Sequence, residues 1–288
     1  MKQVILILGG EGLLGHDLAH YLKKIQDFEV ISLGKNKADI TNQKELESLW
    51  RTVMPQVVIN CGAYTNVDLA ETERDKCRNI NTDAVQNIIN LSSKYKTKMI
   101  QISTASVLGS SKHEELSNSA KPSPVNYYSE TKAMAEKLCN TYANQGGCIY
   151  ILRTYWLYGS KKSDFVSFVR KSLEEGNQTR IVFDQYGQPT STHVVSQIIK
   201  LILLEDILPG TYPATATGST SRIEWANKIA ELLNLDKKFL APISSKEFQA
   251  AAIRPINATL SHKVWQDKKI GISHWQDALE AFLNGIPE

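Results

Sequence analysis

Tyr128 and Lys132 stand four residues apart in Asn126-Tyr127-Tyr128-Ser129-Glu130-Thr131-Lys132, and Ala133-Met134-Ala135-Glu136-Lys137-Leu138 extends the run with good helix formers and neither Gly nor Pro. On a helix, positions i and i+4 share a face, so the phenol and the ammonium can point into one site. A phenol titrates near about pH 10, and a neighbouring cation favours its ionised form. A tyrosine tuned in this way can hand a proton to the oxyanion that develops as a carbonyl is reduced. Tyr127 is the rival phenol, but its partner one turn on is Thr131, which carries no charge. Tyr128 is therefore the expected proton donor, with Tyr127 packing at the helix start. The same spacing occurs on many solvated helix faces, so the chemistry depends on what else the chain supplies.

Val4 to Leu8 is a short, continuously apolar run of the kind buried on both faces in a parallel sheet. It leads into Gly9-Gly10-Glu11-Gly12-Leu13-Leu14-Gly15 and a helical pattern through Leu18, Leu22 and Ile25. Glycines at a strand-to-helix turn let backbone N–H groups and a helix N-terminus approach a pyrophosphate, which predicts a dinucleotide site. A second strand, Glu29 to Leu33, ends in Gly34-Lys35-Asn36-Lys37. With no carboxylate there for a ribose 2′-hydroxyl, and Lys35 and Lys37 at hand, charge complementarity favours NADP(H) over NAD(H).

Asp39-Ile40-Thr41 follows, with Thr41 the expected N-cap of a helix from Asn42 to Val53. Gln56 to Asn60 reads as a third strand running into Cys61-Gly62-Ala63-Tyr64-Thr65, small residues that admit a cofactor close to backbone. One long helical region is expected from Val67 to Tyr95. Met99 to Ser103 makes a fourth strand that delivers Ser103-Thr104 to its C-terminal end, the edge where open α/β sheets bind ligands. The alternation continues through Cys148 to Arg153 and Ile181-Val182-Phe183, predicting an α/β, doubly wound parallel (Rossmann) sheet. Beyond Gln185, prolines at 189, 209, 213 and 242 punctuate short helical pieces. The expected division is a dinucleotide-binding part, residues 1–155 with a return segment around 178–205, and a smaller, mainly substrate-binding region, 156–288.

At 288 residues, with 42% hydrophobic and 22% charged content, the chain has the make-up of an ordinary globular protein with a substantial core. A net charge of +3 without any basic tract argues against nucleic acid. Val4 to Leu8 is too short for a signal peptide or membrane span, and a cytoplasmic location is expected. Cys61, Cys77, Cys139 and Cys148 lack paired spacing, and His16, His20, His113, His193, His262 and His274 are scattered, so no metal site is expected. Trp225, Trp265 and Trp275 fall in helical patterns and read as core.

Over nearly its full length the chain resembles the extended short-chain dehydrogenase/reductases, and within them the dTDP-4-dehydrorhamnose reductase family. The resemblance rests on Gly9-x-x-Gly12-x-x-Gly15, Asn60 to Asp68, Ser103-Thr104, Tyr128-x-x-x-Lys132, Arg153 to Gly159, Asp184 to Thr190 and Arg254-Pro255-Ile256-Asn257. It implies that NADPH gives hydride to the C4 ketone of a nucleotide-linked 6-deoxyhexose. Tyr128 would donate the proton, Lys132 would hold the nicotinamide ribose and depress the Tyr128 pKa, and Thr104 would hydrogen-bond the carbonyl oxygen. The cofactor set is then Gly9, Gly12, Leu13, Leu14, Gly15, Lys35, Asp39, Ile40, Cys61, Gly62, Ala63 and Tyr64 with Tyr128 and Lys132. The substrate set is Thr65, Val67, Thr104, Ala105, Trp156, Gln185, Arg254 and Asn257, with Trp156 bordering the sugar and the Arg254 fork suited to a diphosphate.

Departures from the family pattern concentrate near the reacting centre. The usual Ser-Thr-Asp-Tyr-Val-Phe reads Ser103-Thr104-Ala105-Ser106-Val107-Leu108, Tyr128-Ser129 replaces Tyr-Gly, and Asp164 stands where Asn is common. A methyl at 105 can neither orient a sugar hydroxyl nor accept a proton. Two alternatives therefore stay open: a noncatalytic NADP-binding regulatory subunit of another enzyme, and a sugar-nucleotide epimerase with tightly held NAD, which Gly34-Lys35 disfavours. Dimerisation through helices is implied by the resemblance alone.

Overall fold

The structure, a computed structural model, describes residues 2–111, 115–161 and 164–285. His113 lies outside the described residues. Six parallel strands form the central sheet: β1 (Gln3–Leu8), β2 (Phe28–Leu33), β3 (Val57–Asn60), β4 (Lys98–Thr104), β5 (Ile149–Thr154) and β7 (Gly210–Pro213), in spatial order β7-β5-β4-β3-β1-β2. Side chains alternate between faces along each strand. Ile5, Ile7, Val57, Ile59, Ile100 and Leu152 therefore join one core with α1 (Leu13–Leu22) and α6 (Thr192–Leu204). Leu6, Leu8, Val58, Met99, Ile149 and Ile151 join the other, with α2 (Gln43–Val53), α3 (Ala84–Tyr95) and α4 (Tyr127–Asn144). Burying each such Ile or Leu stabilises the fold by roughly 1.5–3 kcal/mol, which is why these strands read as unbroken apolar runs.

The register brings the strand ends to one edge. Leu8 pairs with Asn60, Asn60 with Gln101 and Thr104 with Thr154, so the turns after β1, β3, β4 and β5 lie side by side. The order reverses between β1 and β3, the switch point at which such sheets leave a crevice for ligands.

Three sequence expectations are corrected. Ile181-Val182 does not continue the main sheet: it belongs to β6 (Thr179–Val182), which pairs in parallel with β8 (Leu240–Ile243) in a separate two-stranded sheet. The sixth strand is Gly210–Pro213, whose proline the sheet tolerates because the strand lies at its edge. The region 67–95 is not one helix. It breaks into a 3-10 turn, Leu69–Glu71, a short helix, Arg74–Arg78, and a π-turn, Asn79–Asp83, before α3 begins. Finally, Asn42 rather than Thr41 caps α2, accepting from the Glu45 N–H, while Thr41 hydrogen-bonds Asp39.

The second half of the chain also supplies α5 (Phe165–Glu174), α7 (Arg222–Leu232) and α8 (Trp275–Leu283). Trp225, Trp265 and Trp275 are core residues, and the Trp265 ring N–H donates to the Pro213 carbonyl, tying this region to the sheet edge. Asp164 caps α5, accepting from the Ser167 and Gly159 N–H groups, a task that Asn can also perform.

Candidate active site

The crevice at the strand ends has two adjoining lobes that share Gly12, Cys61, Gly62 and Ala63. One, of about 610 Å³, is lined by Gly9, Glu11, Gly34, Lys35, Asp39, Ile40 and Lys161. Gly9 has φ +76°, and a Cβ there would sit 2.6 Å from the Gly62 nitrogen, so the turns after β1 and β3 can approach only with glycine. Gly15 plays a packing part instead of lining the crevice: a Cβ would come within 2.4 Å of the Gly9 carbonyl oxygen. Leu13 and Leu14 head α1 and line the second lobe, placing there N–H groups that a helix cannot satisfy internally. These features fit a dinucleotide pyrophosphate.

Lys35 enters the first lobe, 3.9 Å from Asp39, whereas Lys37 is exposed and does not line it. Lys161 approaches from the other wall, a cation that sequence reading missed because it is 126 positions from Lys35 along the chain. Glu11 also lies there, its carboxylate against Gly34, a group that the turn sequence alone did not place.

The second lobe, about 450 Å³, holds Thr104, Tyr128 and Lys132 together with Thr65, Val67, Ser106, Trp156, Arg222 and Arg254. Asn126 caps α4 through the Ser129 N–H, which sets the phase of the helix and turns Tyr128 and Lys132 inward. Thr104 and Tyr128 line this lobe together, and the Thr104 hydroxyl favours the ionised form of the phenol. Tyr127 stays at the helix start, as expected, with the Arg74 guanidinium 4.0 Å above its ring.

The electrostatics differ from the sequence expectation. Burial pushes the Tyr128 pKa above the ordinary phenol range, and the Thr104 hydroxyl offsets only part of the rise. Lys132 is not what governs the phenol: its ammonium donates to the Ile102 carbonyl at 2.7 Å. Burial lowers the Lys132 pKa to about 8, against the opposing pull of the Glu136 carboxylate one turn along α4. Glu136 is itself clamped by Arg153, at 2.7 and 3.0 Å, and by the Ser103 hydroxyl at 2.6 Å.

Four further residues fall outside the lining. Ala105 opens a 3-10 turn and packs with Val107, Leu108, Ala258 and Leu260, so the residue exposed to the crevice after Thr104 is Ser106. Tyr64 is buried beside Cys77, its hydroxyl donating to Glu73, while its backbone is held by Asn81, whose side chain accepts from the Tyr64 N–H and donates to its carbonyl. The π-turn aims Asn81 at this loop, a placement with no local sequence signal. Gln185 is drawn to α7, its carbonyl accepting from the Arg222 N–H, and the Asn257 side chain accepts from the Thr259 N–H.

Trp156 lines the crevice with φ +44°, a strained conformation for a bulky residue. Arg254 is not a free fork: two of its nitrogens bind Asp68, at 2.7 and 3.1 Å, and one also binds the Ala252 carbonyl. Arg222, absent from the sequence reading, lines the lobe as a cation without an ion pair among the described residues. Its guanidinium lies 3.8 Å over the Trp156 ring. Burial lowers its pKa to about 10. A half-buried guanidinium without a counter-charge gains when an anion joins it.

Residues 1–287 match the family model described as the RmlD substrate binding domain. The chain is 29% identical to the spore coat polysaccharide biosynthesis protein SpsK of Bacillus subtilis, over 97% of this chain and 96% of that one. It is 28% identical to the dTDP-4-dehydrorhamnose reductase of Aggregatibacter actinomycetemcomitans, over 96% and 97%. A crystal structure of dTDP-4-dehydrorhamnose reductase from Bacillus anthracis in complex with NADP superposes with a TM-score of 0.94 at 30% identity, covering 99% of this chain and 100% of that one. Matched over residues 1–287, this chain belongs to the RmlD substrate binding domain family.

Proposed function

We propose that the protein is an NADPH-dependent 4-ketoreductase acting on a dTDP-linked 4-keto-6-deoxyhexose in deoxysugar or polysaccharide biosynthesis. The observation that carries this reading is the convergence of Thr104, Tyr128 and Lys132 in one lobe that joins the head of α1 to Trp156 and Arg222. A bound NADPH supplies the hydride for the C4 carbonyl carbon. Tyr128 gives its phenolic proton to the C4 oxygen, and Thr104 donates a hydrogen bond to the same oxygen as negative charge develops on it. With the cofactor bound, Lys132 would hold the nicotinamide ribose, Leu13 and Leu14 would offer their N–H groups to the pyrophosphate, and Lys35 and Lys161 would supply charge for the 2′-phosphate. Trp156 offers a ring face to the sugar's CH groups, and Arg222, with the donors Arg254 has left, takes the substrate diphosphate.

The division between a cofactor part, residues 1–155 with α6 and its flanks, and a mainly substrate part, 156–288, belongs to the same proposal, as do a cytoplasmic location and a homodimer. The purified protein is expected to oxidise NADPH when given a dTDP-4-keto-6-deoxyhexose, with a higher kcat/KM than for NADH. NADPH consumption over a panel of 4-keto sugar nucleotides checks it. No turnover on any of them, with an enzyme partner captured instead, would transfer the assignment to the regulatory alternative.

A pH profile tests the electrostatics. Tyr128 stays protonated because burial raises its pKa, whereas Lys132, lowered to about 8, loses its charge as pH rises through that value. Since kcat/KM reports groups of the free enzyme, it is expected to hold level from about pH 6 and fall above about pH 8. A profile flat to about pH 10 would remove Lys132 from this role.

A further inference from the structure

β2 runs out into Gly34, with no acid at the place where a dinucleotide site binds a ribose 2′-hydroxyl. The fold returns a carboxylate to that place from the turn after β1. The Gly10 N–H donates to the Leu33 carbonyl at 2.8 Å, which lays this turn against the end of β2. Glu11, the next residue, then extends over Gly34: a Cβ added at Gly34 would lie 2.1 Å from the Glu11 Cδ and 2.4 Å from its Oε2. The side chain missing at 34 is the space that the Glu11 carboxylate fills.

Two carboxylates line this lobe, and they differ in what they are already bonded to. Asp39 accepts from the backbone N–H and the hydroxyl of Thr41, at 2.9 and 2.7 Å, and has Lys35 3.9 Å away. Glu11 is exposed in the same lobe and has no ion pair among the described residues, so its oxygens are open to a donor. An ionised carboxylate only accepts hydrogen bonds. It suits a neutral hydroxyl, which has a hydrogen to give, and repels a phosphate, which carries like charge. Glu11 and Asp39 also balance Lys35 and Lys161, so the two lysines alone do not make the lobe a phosphate site.

We propose that Glu11 is a specificity-determining residue for the coenzyme. Its carboxylate accepts from the adenosine ribose 2′-hydroxyl of NADH and opposes the 2′-phosphate of NADPH, and so narrows the preference for NADPH that Lys35 and Lys161 set. The proposal rests on the reading of the first lobe as the adenosine-ribose end of the coenzyme site. NADPH is still admitted because the carboxylate ends a flexible, exposed side chain that can turn to solvent, leaving the phosphate to the two lysines.

Coenzyme binding to the full-length protein without any sugar, read as the Kd of NADH and of NADPH by nicotinamide fluorescence, tests this apart from turnover. Glu11→Gln removes the charge and keeps an acceptor oxygen, so NADPH should bind about fivefold tighter and NADH within about threefold of wild type. Glu11→Ala removes both, so NADPH should tighten to the same degree while NADH weakens about tenfold. Opposite movement of two ligands that differ only at the 2′ position is not what a damaged turn would give, since damage weakens both. Gly34→Ala, whose methyl takes the space of the carboxylate, should move the ratio of the two Kd values toward NADPH, and should add nothing in the Glu11→Ala background. An unchanged ratio in Glu11→Ala, a parallel loss of both coenzymes, or additive shifts in the double variant would each overturn the role of Glu11 while leaving the reductase reading in place. A wild-type protein that binds neither coenzyme would overturn both.

Discussion

Tyr128→Phe is expected to lower kcat by roughly 10²–10⁴ while leaving NADPH affinity within about twofold, the usual cost of removing a positioned proton donor without disturbing its scaffold. The scaffold argument is local. The ring of Tyr128 packs with Tyr64 and Cys77 at the start of α4, and phenylalanine keeps that packing. What is lost is one oxygen with its hydrogen. Because burial holds the phenol protonated over the working pH range, no alternative ionised form of the side chain can mask the loss. Pre-steady-state NADPH oxidation and NADPH binding by fluorescence separate chemistry from affinity. A loss of under about tenfold would mean that water or another hydroxyl delivers the proton.

Glu136→Gln should produce the largest stability effect of any single substitution near the site, about 3–5 kcal/mol, because it leaves a buried guanidinium without its counter-charge. Arg153 and Glu136 are 4% and 1% exposed, joined at 2.7 and 3.0 Å, and Ser103 on β4 donates to the same carboxylate. Gln retains the shape and one acceptor oxygen but not the charge, and its amide hydrogens face a cation. For a chain of this size the expected fall in melting temperature is about 10 °C, read by calorimetry. A second consequence follows at the crevice. The Glu136 charge opposes the burial that lowers the Lys132 pKa, so removing it favours neutral lysine and moves the alkaline fall in kcat/KM below its wild-type position near 8. A variant with wild-type melting and an unmoved limb would show that Arg153 finds another anion and that Lys132 does not feel this carboxylate.

Much of the fold was legible because it is encoded locally. An unbroken apolar run must be buried on both faces, and β1 to β5 lie within a residue or two of their expected spans. The strands that were misjudged are those whose partners are remote. Thr179–Val182 looks like its predecessors but finds β8 instead of the main sheet, and Gly210–Pro213 hides behind a proline that only an edge position permits. The site divides in the same way. The Tyr-Lys pair, the glycine turn and Thr104 are each a spacing on one element or a residue at a strand end. Ala105 and Ser106 differ by one position in a tight 3-10 turn, and it was that turn, invisible in the pattern, that sent the methyl inward and the hydroxyl to the crevice.

Sequence by itself determined the parallel sheet, the glycine turn after β1 and the helix that turns Tyr128 and Lys132 to one face, because period, propensity and one-turn spacing act over a handful of bonds. Only the tertiary structure decided which cations are available. Arg254 is taken by Asp68, 186 positions away, Lys132 leans on a strand carbonyl, and Arg222 lies above Trp156 without an ion pair among the described residues. Charge balance in a crevice is a sum over groups that meet through space, and distance along the chain carries no information about that sum.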